Sequence, residues 1–255
     1  MDHILLLSAA GLIAGAMNAL AGGGSFISLP ALIAVGVPSV QANASSTVAL
    51  FPGGLAGAWA YRDGLGPVGS VALRPLVIAT LIGGLIGSLL LLWTSTTLFN
   101  FVLPWLLLVA SLTLAFGRRL GEFLRRHWQI RPAAVLAIQF GLGVYGGYFG
   151  GAVGIMMMAV WSLLDNRDLK SLNAPRTLTV SVANAIAVLI FILADAVHWR
   201  ETIVMLLAAI VGGYGGAQIG RRAPARVVRA GTLFLTACIT AVFFIRAYFP
   251  ALSWH

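Results

Sequence analysis

Two glycine clusters are the most distinctive feature of this sequence. Their members are glycines with polar or aromatic neighbours: Asn18, Gly22, Gly23, Gly24 and Ser25 in the first cluster, and Tyr148, Gly150, Gly151 and Gly154 in the second. Each cluster precedes a short apolar run, 25–36 or 154–165. At 1.5 Å per residue such a run covers about 18 Å of a hydrocarbon core roughly 30 Å thick, so we expect a half-helix or a re-entrant element.

A half-helix that begins inside the membrane presents free backbone N–H groups and the positive end of its dipole at that depth. Helix N-termini of this kind bind anions, so the two clusters predict an anion-binding site. Close helix packing is the alternative role for glycine. It suffices for the GxxxG-type spacings found along the chain: Gly11/Gly15, Gly53/Gly57, Gly83/Gly87, Gly143/Gly147 and Gly212/Gly216.

A second set of side chains lies in the long apolar segments that follow the short runs. Near the starts of these segments are Asn43, Ser46, Thr47, Asn173, Arg176 and Thr177, and Asn184 lies two turns further along. The pattern Asn-Ala-x-x-Thr occurs in it twice, at 43–47 and at 173–177. Asparagine at a helix start is a preferred N-cap. These uncharged groups could instead surround a substrate, and Arg176 could be either a snorkelling residue at the cytoplasmic end of its helix or a counter-charge for the anion.

The composition excludes a soluble globular protein. Of 255 residues, 60% are hydrophobic and only 9% are charged, whereas an ordinary soluble domain has roughly 25% charged residues. The apolar segments predict an all-α, polytopic membrane protein. They lie at 4–21, 25–36, 42–61, 71–93, 97–116, 133–151, 154–165, 172–196, 200–220 and 227–249.

Basic residues orient these segments, because cytoplasmic loops collect Lys and Arg. Cytoplasmic placement of the loops at 117–132 and 221–229 puts every Lys and Arg inside except Arg200 and Arg246. The sequence thus predicts one membrane domain over 1–255, with a first repeat at 4–116, a basic cytoplasmic loop at 117–132 and a second repeat at 133–249. The repeats have opposite orientations, and each contains a glycine-led pair with a short or re-entrant helix plus three transmembrane helices, a plan that recurs in secondary transporters.

Several kinds of chemistry lack the residues they need. No Asp or Glu lies in the middle of a predicted span, so we expect neither an acidic proton relay nor a metal site. The sequence has no GxxxxGK[ST] motif, and its four histidines lie at ends or in loops. We therefore expect no catalytic residues and no cofactor. The net charge of +9 is explained by cytoplasmic loops rather than by nucleic acid, which leaves a small anion and membrane lipid as partners and leaves a homodimer open.

The chain resembles the TauE/SafE family of sulfite exporters, a bacterial inner-membrane group, over nearly its whole length. The first half carries GAMNALAGGGS at 15–25, LPAL at 29–32, ANA at 42–44, TVA at 47–49 and GAWAYR at 57–62. The second half carries GGYFGGAVG at 146–154, followed by Asn173, Arg176 and Asn184. This resemblance implies a multi-pass secondary transporter that exports sulfite, an organosulfonate or a related small anion across the cytoplasmic membrane. An anion channel and a membrane-embedded enzyme or its assembly partner are the alternatives.

Overall fold

The computed structural model describes residues 2–69, 71–127, 132–151, 153–161, 172–220 and 225–248. These residues form α-helices joined by short connections: α1 Asp2–Ala21, α2 Ser25–Ala34, α3 Ser39–Ala60, α4 Leu73–Trp93, α5 Thr96–His127, α6 Pro132–Tyr148, α7 Val153–Trp161, α8 Asn173–Leu193, α9 Trp199–Gly220 and α10 Ala225–Tyr248. Each predicted apolar segment corresponds to one of them. Within the described ranges, five helices are long and apolar enough to cross a membrane, namely α1, α4, α5, α8 and α10. The all-α, multi-pass membrane class is confirmed.

The basic loop expected at 117–132 differs from the structure, because α5 continues as helix to His127. Leu120, Phe123 and Leu124 repeat at helical spacing among the arginines of this stretch, which favours an amphipathic helix over a loop. Some parts of the predictions lie outside the described residues: the end of the short run at 162–165, and the basic residues Arg131, Arg167, Lys170, Arg221 and Arg222.

The helices with the most extensive contacts come from opposite halves of the chain, α1 with α9 and α4 with α6. Glycine allows the close approach in both pairs. A Cβ on Gly11 would lie 2.6 Å from the Met205 carbonyl oxygen, and one on Gly212 would overlap the Leu12 carbonyl. The pairs Gly83/Gly87 and Gly143/Gly147 likewise face backbone atoms across the contact between α4 and α6.

The packing role predicted for Gly53/Gly57 is wrong. A Cβ on Gly57 would meet no atom within 4 Å, and one on Gly53 would have only Asn18 Nδ2, at 3.9 Å. These two glycines therefore leave open space beside α3 and do not bring a helix close.

The helices α3 and α8 pack against each other in opposite directions. Ser45 in the N-terminal part of α3 accepts a hydrogen bond from the His198 N–H beyond the end of α8, at 2.9 Å. Near the other end, Gly64 lies beside Ala174, which is close to the start of α8. Both Asn-Ala-x-x-Thr motifs form the same local bond, since Thr47 and Thr177 donate to the carbonyls of Asn43 and Asn173 at 2.9 Å.

The outer surface is rich in apolar side chains. Leu193 and Phe234 are 75% and 74% exposed, and Trp93 is 78% exposed. In water such a surface would be an interaction site or an aggregation liability. Around membrane-spanning helices it is the surface that lipid covers.

Candidate functional site

The first helix break separates α1 from α2 at Gly22–Gly24. Gly22 has φ +72°, a left-handed conformation that residues with a Cβ rarely adopt, and its N–H donates to the Asn18 carbonyl at 2.9 Å. The N–H groups of Phe26 and Ile27 donate to Gly23 and Gly24 carbonyls. The described hydrogen bonds therefore leave the amides of Gly24 and Ser25 as the N-terminal donors of α2.

Gly24 has a packing role at this break. A Cβ there would lie 2.5 Å from the Ala14 carbonyl oxygen, 2.9 Å from Asn18 Cβ and 3.0 Å from Leu50 Cδ1. The break is thereby held against α1 on one side and against the middle of α3 on the other. The surroundings of Gly24 therefore favour the packing role over the anion-binding role. Gly22 differs, because a Cβ on it would meet no atom within 4 Å.

The second break separates α6 from α7 and has its left-handed residue at Gly150, with φ +74°. Gly151 lies against the Phe149 ring, 2.5 Å from an added Cβ. The spacing of 130 residues that relates Asn43 to Asn173 also relates Gly24 to Gly154. Gly24 precedes α2, whereas Gly154 is the second residue of α7. A Cβ on Gly154 would contact Val180 Cγ2 at 3.3 Å and Arg176 Cδ at 3.6 Å.

Asn43 connects the two halves of the chain. It is fully buried, and its Nδ2 donates to the Tyr148 carbonyl at the end of α6, at 2.9 Å. A helix end inside the membrane has carbonyls without intrahelical donors, and Asn43 satisfies one of them. The N-cap interpretation is wrong for both asparagines, because Asn43 lies within α3 and the N-cap residue of α8 is Leu172, not Asn173.

Two tyrosines also anchor the second break. The Tyr148 hydroxyl donates to Thr94 Oγ1 at 3.2 Å, just beyond α4, and the Tyr145 hydroxyl donates to the Leu106 carbonyl of α5 at 3.1 Å. The Tyr148 hydroxyl therefore points to α4, and the atom of this residue that Asn43 contacts is its carbonyl oxygen.

Polar groups from both halves meet beside the second break, and we call Thr47, Gly150, Ser181 and Asn184 the central polar cluster. A Cβ on Gly150 would lie 3.5 Å from Thr47 Oγ1 and 4.0 Å from Asn184 Oδ1. Ser181 Oγ donates to the Gly54 carbonyl at 3.1 Å, across the contact between α8 and α3. Asn184 Oδ1 is buried and accepts no hydrogen bond from the described residues.

A smaller polar contact accompanies the first break. Ser28 and Ser46 share a buried hydrogen bond of 2.6 Å between their hydroxyl groups, and Ser28 Oγ also donates to the Gly24 carbonyl at 3.2 Å. Ser46 therefore joins α3 to α2 beside the first break, where Gly24 packs against Asn18.

The remaining residues of the predicted site lie apart from this centre. Asn173, Arg176 and Thr177 occupy the first turns of α8, and Asn173 precedes Asn184 by about 16 Å along the helix at 1.5 Å per residue. The asparagines of the two repeats are thus used differently: Asn43 lies beside a helix break, and Asn173 lies at a helix start. Arg176 packs its aliphatic part beside Gly154.

Sequence reasoning missed Ser28 and Ser181. Ser181 precedes Asn184 by three residues, so both lie on one face of α8 and helical periodicity alone could have found it. Ser28 lies three residues after Ser25 in the otherwise apolar helix α2. Its contact with Ser46 depends on how α2 folds back, which no sequence pattern indicates.

The site offers hydroxyl groups, amides and helix ends rather than charged groups. In the described part of the chain, no three His, Cys, Asp or Glu side chains converge on a point where they could hold a metal ion. Neutral groups of this kind can hold a small ion by hydrogen bonds and dipoles.

Comparisons with known proteins identify the family of the chain. The family described as "Sulfite exporter TauE/SafE" matches residues 7–243. A "Probable membrane transporter protein" of Haemophilus influenzae is 25% identical over 244 residues, covering 94% of each chain. The "Probable membrane transporter protein YfcA" of Escherichia coli K12 is 26% identical over 90% of this chain and 85% of its own.

The "Probable membrane transporter protein ORF9" of a Sinorhizobium species is 27% identical over 86% of this chain and 83% of its own. No solved structure matches the chain significantly. The family match covers almost all of the helices described above, including both breaks and the central polar cluster. The chain therefore belongs to the TauE/SafE family of membrane transporters.

Proposed function

We propose that the protein is a secondary transporter that exports a small anion, sulfite or an organosulfonate, across the bacterial cytoplasmic membrane, and that the anion binds between the two helix breaks. The observation that carries the proposal is the meeting of both breaks at the middle of α3. Gly24 packs on Leu50 and Gly150 lies beside Thr47, so the breaks contact α3 within one helical turn of each other. Donors from each half can then reach one ion.

Neutral donors suit the transport of a strongly hydrated anion. Amide and hydroxyl groups replace part of its water shell, and a helix N-terminus supplies positive potential without a fixed counter-charge. Such donors bind the ion tightly enough for it to enter the site from water and weakly enough for it to dissociate again.

The arrangement of the halves supports an alternating-access mechanism. The repeat counterparts α3 and α8 are antiparallel, and each half contributes its first helix to a pair completed by the other half, α1 with α9 and α6 with α4. We infer two inverted repeats related by a pseudo-two-fold axis in the membrane plane, whose relative rocking exposes the site to each side in turn.

The test is a flux assay with the purified protein in liposomes, without ATP. Sulfite, an organosulfonate, sulfate and a carboxylate of similar size are supplied one at a time. We expect saturable flux of at least one sulfur oxyanion, and counterflow when the same anion is present on both sides. Non-saturating conductance would indicate a channel, and absence of flux for every anion would contradict transport.

Asn18→Leu and Asn173→Leu form a matched pair for locating the site. Asn18 Nδ2 lies 3.9 Å from a Cβ built on Gly53 and its Cβ lies beside Gly24 at the first break, whereas Asn173 is at the start of α8. We expect Asn18→Leu to lower the affinity for the anion about tenfold, because a lost hydrogen bond to a charged group costs roughly 1.5–3 kcal/mol. Equal effects of the two substitutions would place the site elsewhere.

A further inference from the structure

Three oxygen atoms, from both halves of the chain, lie nearest to the position that a Cβ on Gly150 would take. The three heavy atoms nearest to a Cβ built on Gly150, its sequence neighbours aside, are Thr47 Oγ1 at 3.5 Å, the Gly146 carbonyl oxygen at 3.6 Å and Asn184 Oδ1 at 4.0 Å. The space exists because residue 150 has no side chain. We call it the Gly150 pocket.

All three oxygen atoms have lone pairs available for a positively charged ligand. Asn184 Oδ1 is buried and has no donor among the described residues. Thr47 Oγ1 uses its hydrogen for the Asn43 carbonyl, which leaves its lone pairs free. Gly146 is in the last turn of α6, where carbonyl oxygens lack an intrahelical N–H.

The electrostatic setting of the Gly150 pocket favours a positive charge. The C-terminal end of a helix carries the negative end of its dipole, and the pocket adjoins that end of α6. Nothing in it is a carboxylate, so the oxygens compensate a single positive charge better than a double one. An unpaired buried acceptor is unfavourable, and a bound ion removes that penalty.

We propose that the Gly150 pocket binds a small monovalent cation, with Na⁺ as the species of suitable size and hardness. Oxygen ligands from side chains and from carbonyls at an interrupted helix are the ligand type that Na⁺ takes in such places. Thr47 contributes from the first half, and Gly146 and Asn184 contribute from the second, so the ion ties the halves together.

A functional consequence rests on the proposed anion transport. The same break that ends α6 begins α7, so a negative and a positive helix end lie close together, one suited to Na⁺ and the other to an anion. Movement of one Na⁺ with one monovalent anion transfers no net charge. Flux is then insensitive to the membrane potential, and net export requires an outward anion gradient that exceeds the inward Na⁺ gradient of the cell.

Cation binding is tested first without any sulfur anion. The melting temperature of the detergent-solubilised protein is measured while NaCl replaces choline chloride at constant ionic strength, with KCl as a second series. We expect a saturable rise with Na⁺ and a smaller one with K⁺, because a ligand that binds only the folded state stabilises it. Equal melting temperatures in the three salts would overturn the proposal.

Two substitutions that preserve volume locate the ion, so that a folding defect in one does not end the test. Thr47→Val and Asn184→Leu each remove one oxygen, and we expect the half-saturating Na⁺ concentration to rise at least about tenfold in both. Thr113→Val removes an exposed hydroxyl group of α5 that bonds only locally, to the Val109 carbonyl, and it should respond to Na⁺ as the wild type does. A wild-type Na⁺ response in both pocket variants would overturn the assignment.

Flux measurements then separate the two proposals. An anion flux that an imposed Na⁺ gradient accelerates supports coupling. Anion flux that is indifferent to Na⁺, together with an unchanged melting temperature, would overturn the cation site and leave the transport function standing. A Na⁺-dependent melting temperature without any anion flux would remove the transport function and retain the cation site.

Discussion

Asn43 and Asn173 hold the same place in the two repeats but have different surroundings, which makes them a sharp test of the structure. Asn43 is 1% exposed, and its Nδ2 donates to the Tyr148 carbonyl at 2.9 Å. Replacement by alanine removes that bond and leaves a buried carbonyl at a helix end without a donor. The cost is about 1–3 kcal/mol, the range for leaving one buried polar partner unsatisfied.

Asn173→Ala should be nearly neutral. Asn173 is only partly buried, and it is the first residue of α8 rather than its N-cap residue, which is Leu172. Substitutions of this kind usually change stability by less than about 0.5 kcal/mol. One kcal/mol corresponds to roughly 2–4 °C for a chain of this size. We therefore expect Asn43→Ala to lower the melting temperature by about 2–12 °C and Asn173→Ala by less than about 2 °C.

The assay is thermal unfolding of the purified variants in one detergent, followed by size-exclusion chromatography of the heated samples. Asn43→Leu separates a lost hydrogen bond from a cavity, because leucine fills the volume but cannot donate. If Asn43→Leu melts at the wild-type temperature, the hydrogen bond is irrelevant and the reasoning fails. Equal destabilisation by the two alanine substitutions would also refute the assigned roles of the two asparagines.

The other predictions use the same protein. Gly212→Ala should lower the free energy of unfolding by about 1–3 kcal/mol, because its Cβ overlaps the Leu12 carbonyl, while Gly57→Ala meets open space and should be neutral or stabilising by up to about 1 kcal/mol; equal melting temperatures for the two would contradict the packing. Gly22→Ala should cost about 1–2 kcal/mol through its left-handed φ, with asparagine milder than alanine in the same melting assay; an asparagine variant that melts below the alanine variant would argue against this cause. Single cysteines at the exposed positions Asp63 and Arg200, in a background without the native cysteine, should be labelled by impermeant reagents from opposite sides of the membrane; labelling from the same side would remove the inverted topology.

The positions of the helices could be predicted from the sequence because long apolar runs and glycine clusters are local signals. The two short helices could be predicted from the length of the apolar runs alone. In the structure they begin at Ser25 and Val153. The end of α5 was misjudged, because charged residues were interpreted as loop although their amphipathic spacing is helical. Local pattern and membrane thickness thus determine which segments are helices but not where an amphipathic helix ends outside the membrane.

The candidate site could be predicted only in part. The sequence repeat placed Gly154 opposite Gly24, yet the left-handed residues of the breaks are Gly22 and Gly150. A repeat alignment preserves spacing along the chain, whereas the bend depends on which glycine reaches the positive-φ conformation in each copy. The role of Asn43 depends on the carbonyl of Tyr148, a partner more than 100 residues away in sequence that no local pattern identifies.

The pairing of α1 with α9, helices from opposite halves of the chain, has a consequence for biosynthesis. Leu12 packs on Gly212, so at about 5–20 residues per second roughly 10–40 s pass between the synthesis of the two contact surfaces. During that interval the small-residue face of α1 borders lipid or another protein. A nascent chain of this design remains open to mispairing with a second copy or to capture by an insertion factor until α9 enters the bilayer.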